Sequence, residues 1–159
     1  MATELKPAEI RAWTAFLDAQ AALLRQLEAE LVEKEDMTLA EFDVLIQLGM
    51  APDERLRMTE LSERVRLSRS GLTRLVDRLV QAGLVKRARC ASDRRGTFAT
   101  LTAVGGARLR RAQPVHLHGI REHFGKRLSA AQLSAVADAL EPLGRDTRPP
   151  KTGERRTIG

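Results

Sequence analysis

The sequence predicts a mainly α-helical fold with one small β-hairpin. Three observations carry that expectation. Apolar residues recur at three- and four-residue steps along most of the 159 residues. The period changes once, at two short β-prone runs, Leu84–Cys90 and Thr97–Leu101, on either side of a polar turn. Basic charge collects on the elements around that change. Residues 1–54 hold 4 Lys/Arg and 12 Asp/Glu, a net of −8, residues 55–111 hold 15 and 4, a net of +11, and residues 112–159 hold 8 and 5, a net of +3.

Each element has a local reason. Over residues 8–34, Ile10, Trp13, Phe16, Leu17, Leu24, Leu27 and Leu31 make one apolar stripe, opposite Glu9, Glu28, Glu30 and Glu33. Met37-Thr38-Leu39-Ala40-Glu41 is a capping-box start, with Thr38 and Glu41 each satisfying a free backbone N–H. Its helix runs through Phe42, Leu45, Ile46 and Leu48 to Gly49 and Pro52. A short helix follows from Thr59, read as its N-cap, to about Val65. Ser68 caps another, which ends at Ala82-Gly83, where a left-handed residue is wanted.

Ala91-Ser92-Asp93-Arg94-Arg95-Gly96 reads as the turn of the hairpin. Helix resumes from Thr102 to about Gly125, with Leu109, Ala112, His116, Ile120 and Phe124 on one stripe and Pro114 expected to kink or break it. Ser129-Ala130-Ala131-Gln132 starts a last helix, expected to stop at Pro142-Leu143-Gly144. Residues 144–159, GRDTRPPKTGERRTIG, are polar and rich in Pro and Gly, and are expected to be a disordered tail.

Composition excludes several classes. Hydrophobic residues make up 43% and charged residues 30%, a balance that supports a packed core. The longest apolar runs are only a few residues, as in Ala21–Leu24, which excludes a membrane-spanning helix. The opening MATELKPAEIRAW lacks the apolar centre of a signal peptide, so a cytoplasmic protein is expected. One cysteine, Cys90, cannot form an internal disulfide. With three His and no His-x3-His or Cys-x2-Cys spacing, no metal and no cofactor is expected. Aromatics at 3%, with no Tyr, disfavour a base-stacking binder of single strands. No Gly-rich phosphate loop, nucleophile elbow, His-Glu-x-x-His or paired-carboxylate cluster supports an enzyme.

Helix, short turn, helix, then hairpin is the order of a winged helix-turn-helix. The second motif helix divides as recognition requires. Leu72, Leu75, Val76 and Leu79 form a stripe to bury, and Arg69, Ser70, Thr73, Arg74, Asp77, Arg78 and Gln81 an exposed one. Short hydroxyls and guanidinium groups on such a face can reach base edges in a major groove. The candidate DNA contacts there are Ser68, Arg69, Ser70, Thr73, Arg74 and Arg78, with Ser68 and the free N–H groups of the first turn suited to a phosphate. The candidates on the hairpin are Asp93, Arg94 and Arg95, since an arginine on a narrow finger can enter a minor groove. The expected partner is double-stranded DNA.

These residues resemble the MarR family of bacterial transcription regulators. The resemblance rests on Met58-Thr59-Glu60-Leu61-Ser62, on the run from Leu67 to Leu79, on Ala82-Gly83-Leu84-Val85, and on Ser92-Asp93-Arg94-Arg95-Gly96 leading to Leu101-Thr102. Asp93 and Arg95 occupy the places of the family's Asp-x-Arg wing signature. The resemblance covers roughly residues 8–143. It implies a homodimer built from the first helix and the last two, two winged domains on a pseudopalindromic operator, and release by a small, commonly aromatic or phenolic, ligand.

The residues support a dimer independently, because Leu17, Leu24, Phe124, Val136 and Leu140 exceed what one winged domain can cover. The expected organisation is a dimerisation helix at 1–34, a winged helix-turn-helix DNA-binding domain at 35–101, dimerisation helices at 102–143 and a tail at 144–159. The family's ligand site lies between the dimer helices and the winged domain, which makes Trp13, Phe16 and His116 the candidate effector contacts. His118 and His123 are expected to face solvent. The whole reads as a homodimeric repressor released by a small ligand. The alternatives are a constitutive repressor without a ligand and a redox-responsive regulator acting through Cys90, beside which Arg87, Arg89 and Arg94 could lower the thiol pKa. The family's oxidant-sensing cysteines lie in the N-terminal helix, where this sequence has none.

Overall fold

A computed structural model describes residues 4–65, 67–90 and 93–146. It contains six α-helices among the described residues, α1 (Pro7–Glu35), α2 (Leu39–Gly49), α3 (Met58–Arg64), α4 (Arg69–Gln81), α5 (Ala103–His123) and α6 (Ala130–Asp146). Three strands, β1 (Arg55–Arg57), β2 (Val85–Cys90) and β3 (Asp93–Leu101), form an antiparallel sheet in the order β1-β3-β2. Single turns of 3₁₀-helix lie at Pro52–Glu54 and Gly125–Arg127.

The helix ends follow from their caps. Lys6 N–H donates to the Glu9 carboxylate at 2.6 Å and Pro7 opens α1, where its missing N–H costs nothing. At α2, Glu41 N–H donates to Thr38 Oγ1 at 3.2 Å while Thr38 N–H donates to Glu41 Oε2 at 2.9 Å, the expected capping box. Glu28 of α1 accepts from Leu39 N–H at 2.5 Å, so a carboxylate ties the start of α2 to α1. Ser68 Oγ accepts from Gly71 N–H at 3.1 Å to start α4. At its far end Gly83 takes φ of 72°, with Gly83 N–H donating to Val80 O at 3.0 Å and Leu84 N–H to Leu79 O at 2.9 Å. That is the Schellman pattern, and it turns the chain straight into β2.

The core draws Phe42, Val44, Leu45 and Leu48 from α2, Leu61 from α3, the α4 stripe, and Leu56, Val85, Ala99 and Leu101 from the sheet. Leu31 of α1 and Ala112 of α5 close it on the helical side. No described α6 residue belongs to it.

Five expectations need correction. The strand β1 carries no periodic signal in three residues, yet it pairs with β3 through Leu56 opposite Ala99. Helix α3 is capped at Arg57 rather than Thr59, because Glu60 accepts from Arg57 N–H at 3.1 Å as the chain leaves β1. Of the two outcomes expected at Pro114, a kink or a break, the break does not occur, and α5 runs through it. Pro142 does not end α6, which continues to Asp146. Both prolines and the residues four positions before them, Arg110 and Asp138, are exposed, so water can satisfy the carbonyl each proline leaves without a donor. Finally, Asp93–Gly96 are strand rather than turn. Arg89 pairs with Thr97 and Cys90 with Asp93, so residues 94–96 are interposed between neighbouring pairs as a bulge near the hairpin tip. Ala91 and Ser92 of the expected turn, and residues 147–159 of the expected tail, lie outside the described residues.

Candidate nucleic-acid interface

Helix α4 presents the face its sequence promised. Leu72, Leu75, Val76 and Leu79 are buried, and Arg69, Ser70, Thr73, Arg74, Asp77, Arg78 and Gln81 are exposed. Four buried aliphatic side chains fix the rotation of the helix about its axis, so the polar face points outward in one orientation only.

Arg69, Ser70, Thr73 and Arg74 line one open surface at the start of α4. Ser68 Oγ and Ser70 Oγ are 3.4 Å apart. Thr73 Oγ1 donates to the Arg69 carbonyl at 3.0 Å. Its proton is spent inside the helix, so Thr73 offers lone pairs outward and can accept from the exocyclic amine of adenine or cytosine. Arg69 and Arg74 supply donors for guanine or phosphate on the same face. Arg78, also exposed, sits in the last turn.

The hairpin stands beside this face. A cleft of about 510 Å³ lies between them, lined by Arg69 and Thr73 of α4, Arg87 of β2, and Gly96 and Thr97 of β3. The backbone of Asp93, Arg94 and Arg95 runs in β3, and the side chains of these residues and of Cys90 lie outside the described residues.

Sequence reasoning missed three arginines here. Arg55 and Arg57 of β1 place their guanidinium carbons 5.1 and 5.4 Å from the ring centroid of Phe98 on β3, a cation–π arrangement on the same sheet. The signal was the Arg-Leu-Arg alternation about buried Leu56, too short to read as a strand. Arg87 pairs with Asp77 of α4 at 3.0 Å and also donates to the Thr73 carbonyl at 3.2 Å.

The candidate effector residues fall in two places. His116 of α5 packs on Phe42 at 4.4 Å between ring centroids, and its buried Nδ1 has no hydrogen-bond partner among the described residues. Burial holds the imidazole below its ordinary pKa, opposed by the negative charge of Asp43. His116 lines a cavity of about 560 Å³ with Leu24 and Leu27 of α1, Asp43 of α2 and Arg64 of α3. Trp13 and Phe16 are not in that lining. They contact each other, 6.1 Å between centroids, and are 59% and 39% exposed. Within one chain they are not brought to His116. His118 is exposed as expected, but His123 is not free in solvent. Its Nε2 lies 2.5 Å from Glu30 Oε1 of α1, and that hydrogen bond holds the Glu30 carboxyl below its ordinary pKa.

Known proteins resemble the chain in the same region. A model of the MarR family matches residues 35–96. The HTH-type transcriptional repressor YetL of Bacillus subtilis is 36% identical over 105 residues, which is 64% of this chain and 63% of YetL, just under two thirds of that relative's length. Two solved structures from Streptomyces coelicolor extend the likeness to nearly the whole chain. Sco3205, a MarR family transcriptional regulator determined in complex with DNA, is 31% identical with a TM-score of 0.86, covering 96% of both chains. AbsC, a MarR family transcriptional regulator, is 33% identical with a TM-score of 0.84, covering 92% of this chain and 99% of that one.

Proposed function

This chain belongs to the MarR family, and from that premise we propose that it is a homodimeric repressor that reads a pseudopalindromic operator. The observation that carries the reading is the α4 face, where Arg69, Ser70, Thr73 and Arg74 point outward from a helix locked by four buried aliphatic residues. In this reading α4 enters the major groove and the β2–β3 hairpin reaches the flanking minor groove with Arg94 and Arg95, braced by Asp93. Ser68 and the first-turn N–H groups hold a phosphate. Arg78 completes the positive flank.

Dimerisation rests on apolar surface that a single chain leaves uncovered. Ile10, Trp13, Phe16, Leu17 and Leu24 of α1, Ile120 of α5, and Leu140 and Leu143 of α6 are all exposed. A second copy pairing through α1, α5 and α6 covers them, and sets two α4 helices on one face of the duplex.

The effector reading centres on His116. Its cavity lies between α1 and α5 on one side and α2 and α3 on the other, so an occupant bears on the angle between dimer helices and winged domain. Leu24 and Leu27 suit an aromatic ring, and Arg64 with the Nδ1 of His116 suits a carboxylate or phenol. Trp13 and Phe16 act as effector contacts only where a second copy brings them to the cavity.

Selection of duplexes from a random-sequence pool tests the function. The reading expects enrichment of one pseudopalindrome, bound by a protein that light scattering sizes as a dimer. Failure to enrich any sequence would refute it.

A further inference from the structure

Arg87 is one of the basic side chains around the cleft between α4 and the wing, and it does not point away from the protein. Its Nη2 spans from β2 to α4, 3.0 Å from Asp77 Oδ1 and 3.2 Å from the Thr73 carbonyl. Thr73 and Asp77 are one helical turn apart on the exposed flank of α4. The cleft of about 510 Å³ beside them leaves the first half of α4 and the bulged end of β3 without tight packing against each other. Arg87 crosses that gap.

We propose that Arg87 and Asp77 form a strut that sets the spacing between the helix reading the major groove and the wing reading the minor groove. This rests on the DNA-binding reading above and deepens it. Arg87 is a positioning residue, and Asp77 keeps its guanidinium on the helix and off the phosphates. Helix and wing are two linked contacts with one duplex. Their combined affinity depends on both engaging at once, so a loosened spacing lowers affinity for the correct sequence. Loose electrostatic binding tolerates it, because phosphate attraction carries no register.

The strut and a plain electrostatic role predict opposite signs for Asp77. Removing a carboxylate near DNA raises affinity for any duplex when charge alone matters. When the strut matters, Asp77→Ala weakens binding to the selected duplex by about two- to fivefold, the worth of one exposed ion pair, while a scrambled duplex binds no more weakly. Arg87→Lys keeps the charge but carries it on a shorter side chain, which falls short of the Nη2 position that meets both partners, and lowers the preference for the selected duplex similarly.

The test measures fluorescence anisotropy on both duplexes across a salt series, for wild type, Asp77→Ala, Arg87→Ala, Arg87→Lys and the double alanine variant. The strut predicts a reduced preference in each variant, a double variant no worse than Arg87→Ala, and an unchanged salt slope for Arg87→Ala. Equal tightening on both duplexes by Asp77→Ala overturns it. So does a salt slope lowered by about one unit in Arg87→Ala, which would make Arg87 a phosphate contact. Arg87→Lys keeps the test decisive should the alanine variant not fold. A wild-type protein with no preference between the duplexes would instead overturn the DNA-binding reading itself.

Discussion

Gly105→Ala and Gly106→Ala change neighbouring positions of α5 and are expected to move stability in opposite directions. Both glycines are buried in the first turns of the helix that leaves the wing. A Cβ on Gly105 would lie 2.1 Å from the Leu84 carbonyl oxygen and 2.8 Å from Leu101 Cδ1. The first distance falls about 1.3 Å short of the 3.4 Å at which ordinary contact begins. That carbonyl cannot retreat freely, since Thr102 N–H donates to it at 3.1 Å. Overpacking of this kind costs about 1–3 kcal/mol, and contact with backbone puts it at the upper end. Alanine returns about 1 kcal/mol of helix propensity. The net is a loss of about 2 kcal/mol, or about 4–8 °C in Tm for a chain of this size. A Cβ on Gly106 meets the tip of Arg110 at 3.3 Å, which can swing aside, and Leu101 Cδ2 at 3.9 Å, an ordinary contact. Gly106→Ala therefore gains up to about 1 kcal/mol. Urea unfolding followed by circular dichroism, at one protein concentration, measures both. Equal shifts in the two variants, or a Gly105→Ala protein as stable as wild type, would refute the close approach of α5 to the α4–β2 turn.

Three further outcomes follow from the site. Arg74→Ala should weaken binding to the selected duplex by about 1–3 kcal/mol and affect a scrambled one less, as measured by anisotropy titration; equal losses would assign it to phosphate. Arg95→Ala should lower the slope of log affinity against log salt by about one unit and leave the thermal melt unchanged; an unaltered slope would remove the wing arginine from the phosphates. The partly buried His116 imidazole is held below its ordinary value of 6.5, so the folded state binds fewer protons there than the unfolded one. Stability should fall as pH drops from about 6.5 through the lowered value, and His116→Gln should flatten that stretch of a stability–pH profile while leaving the region above it in place.

The elements legible in the sequence were those whose own residues decide them. Helices α1, α2 and α4 each carry an apolar stripe longer than two turns and a cap or a glycine at the right offset, and the exposed face of α4 came with its buried one. Elements decided by partners were not legible. Strand β1 exists because β3 lies beside it, and three residues cannot show a period. The cap of α3 moved to Arg57 because β1 delivers the chain there in extended form, with Glu60 as the overlooked signal. His123 shows no sequence mark of Glu30, which lies 93 positions away on α1. Arg87 reads as one more basic residue of a basic strand until Asp77 is seen opposite it. The α4 half of the candidate interface was therefore readable from local pattern, while the alignment of helix with wing depends on contacts between elements.

The central claim is that two copies of this chain present two α4 helices to one duplex. Hydroxyl-radical footprinting of the selected duplex tests it most directly. The account predicts two protected half-sites with centres about 10 base pairs apart, one helical turn, on the same face of the DNA. A single unpaired half-site, or protection without fixed spacing, would contradict it.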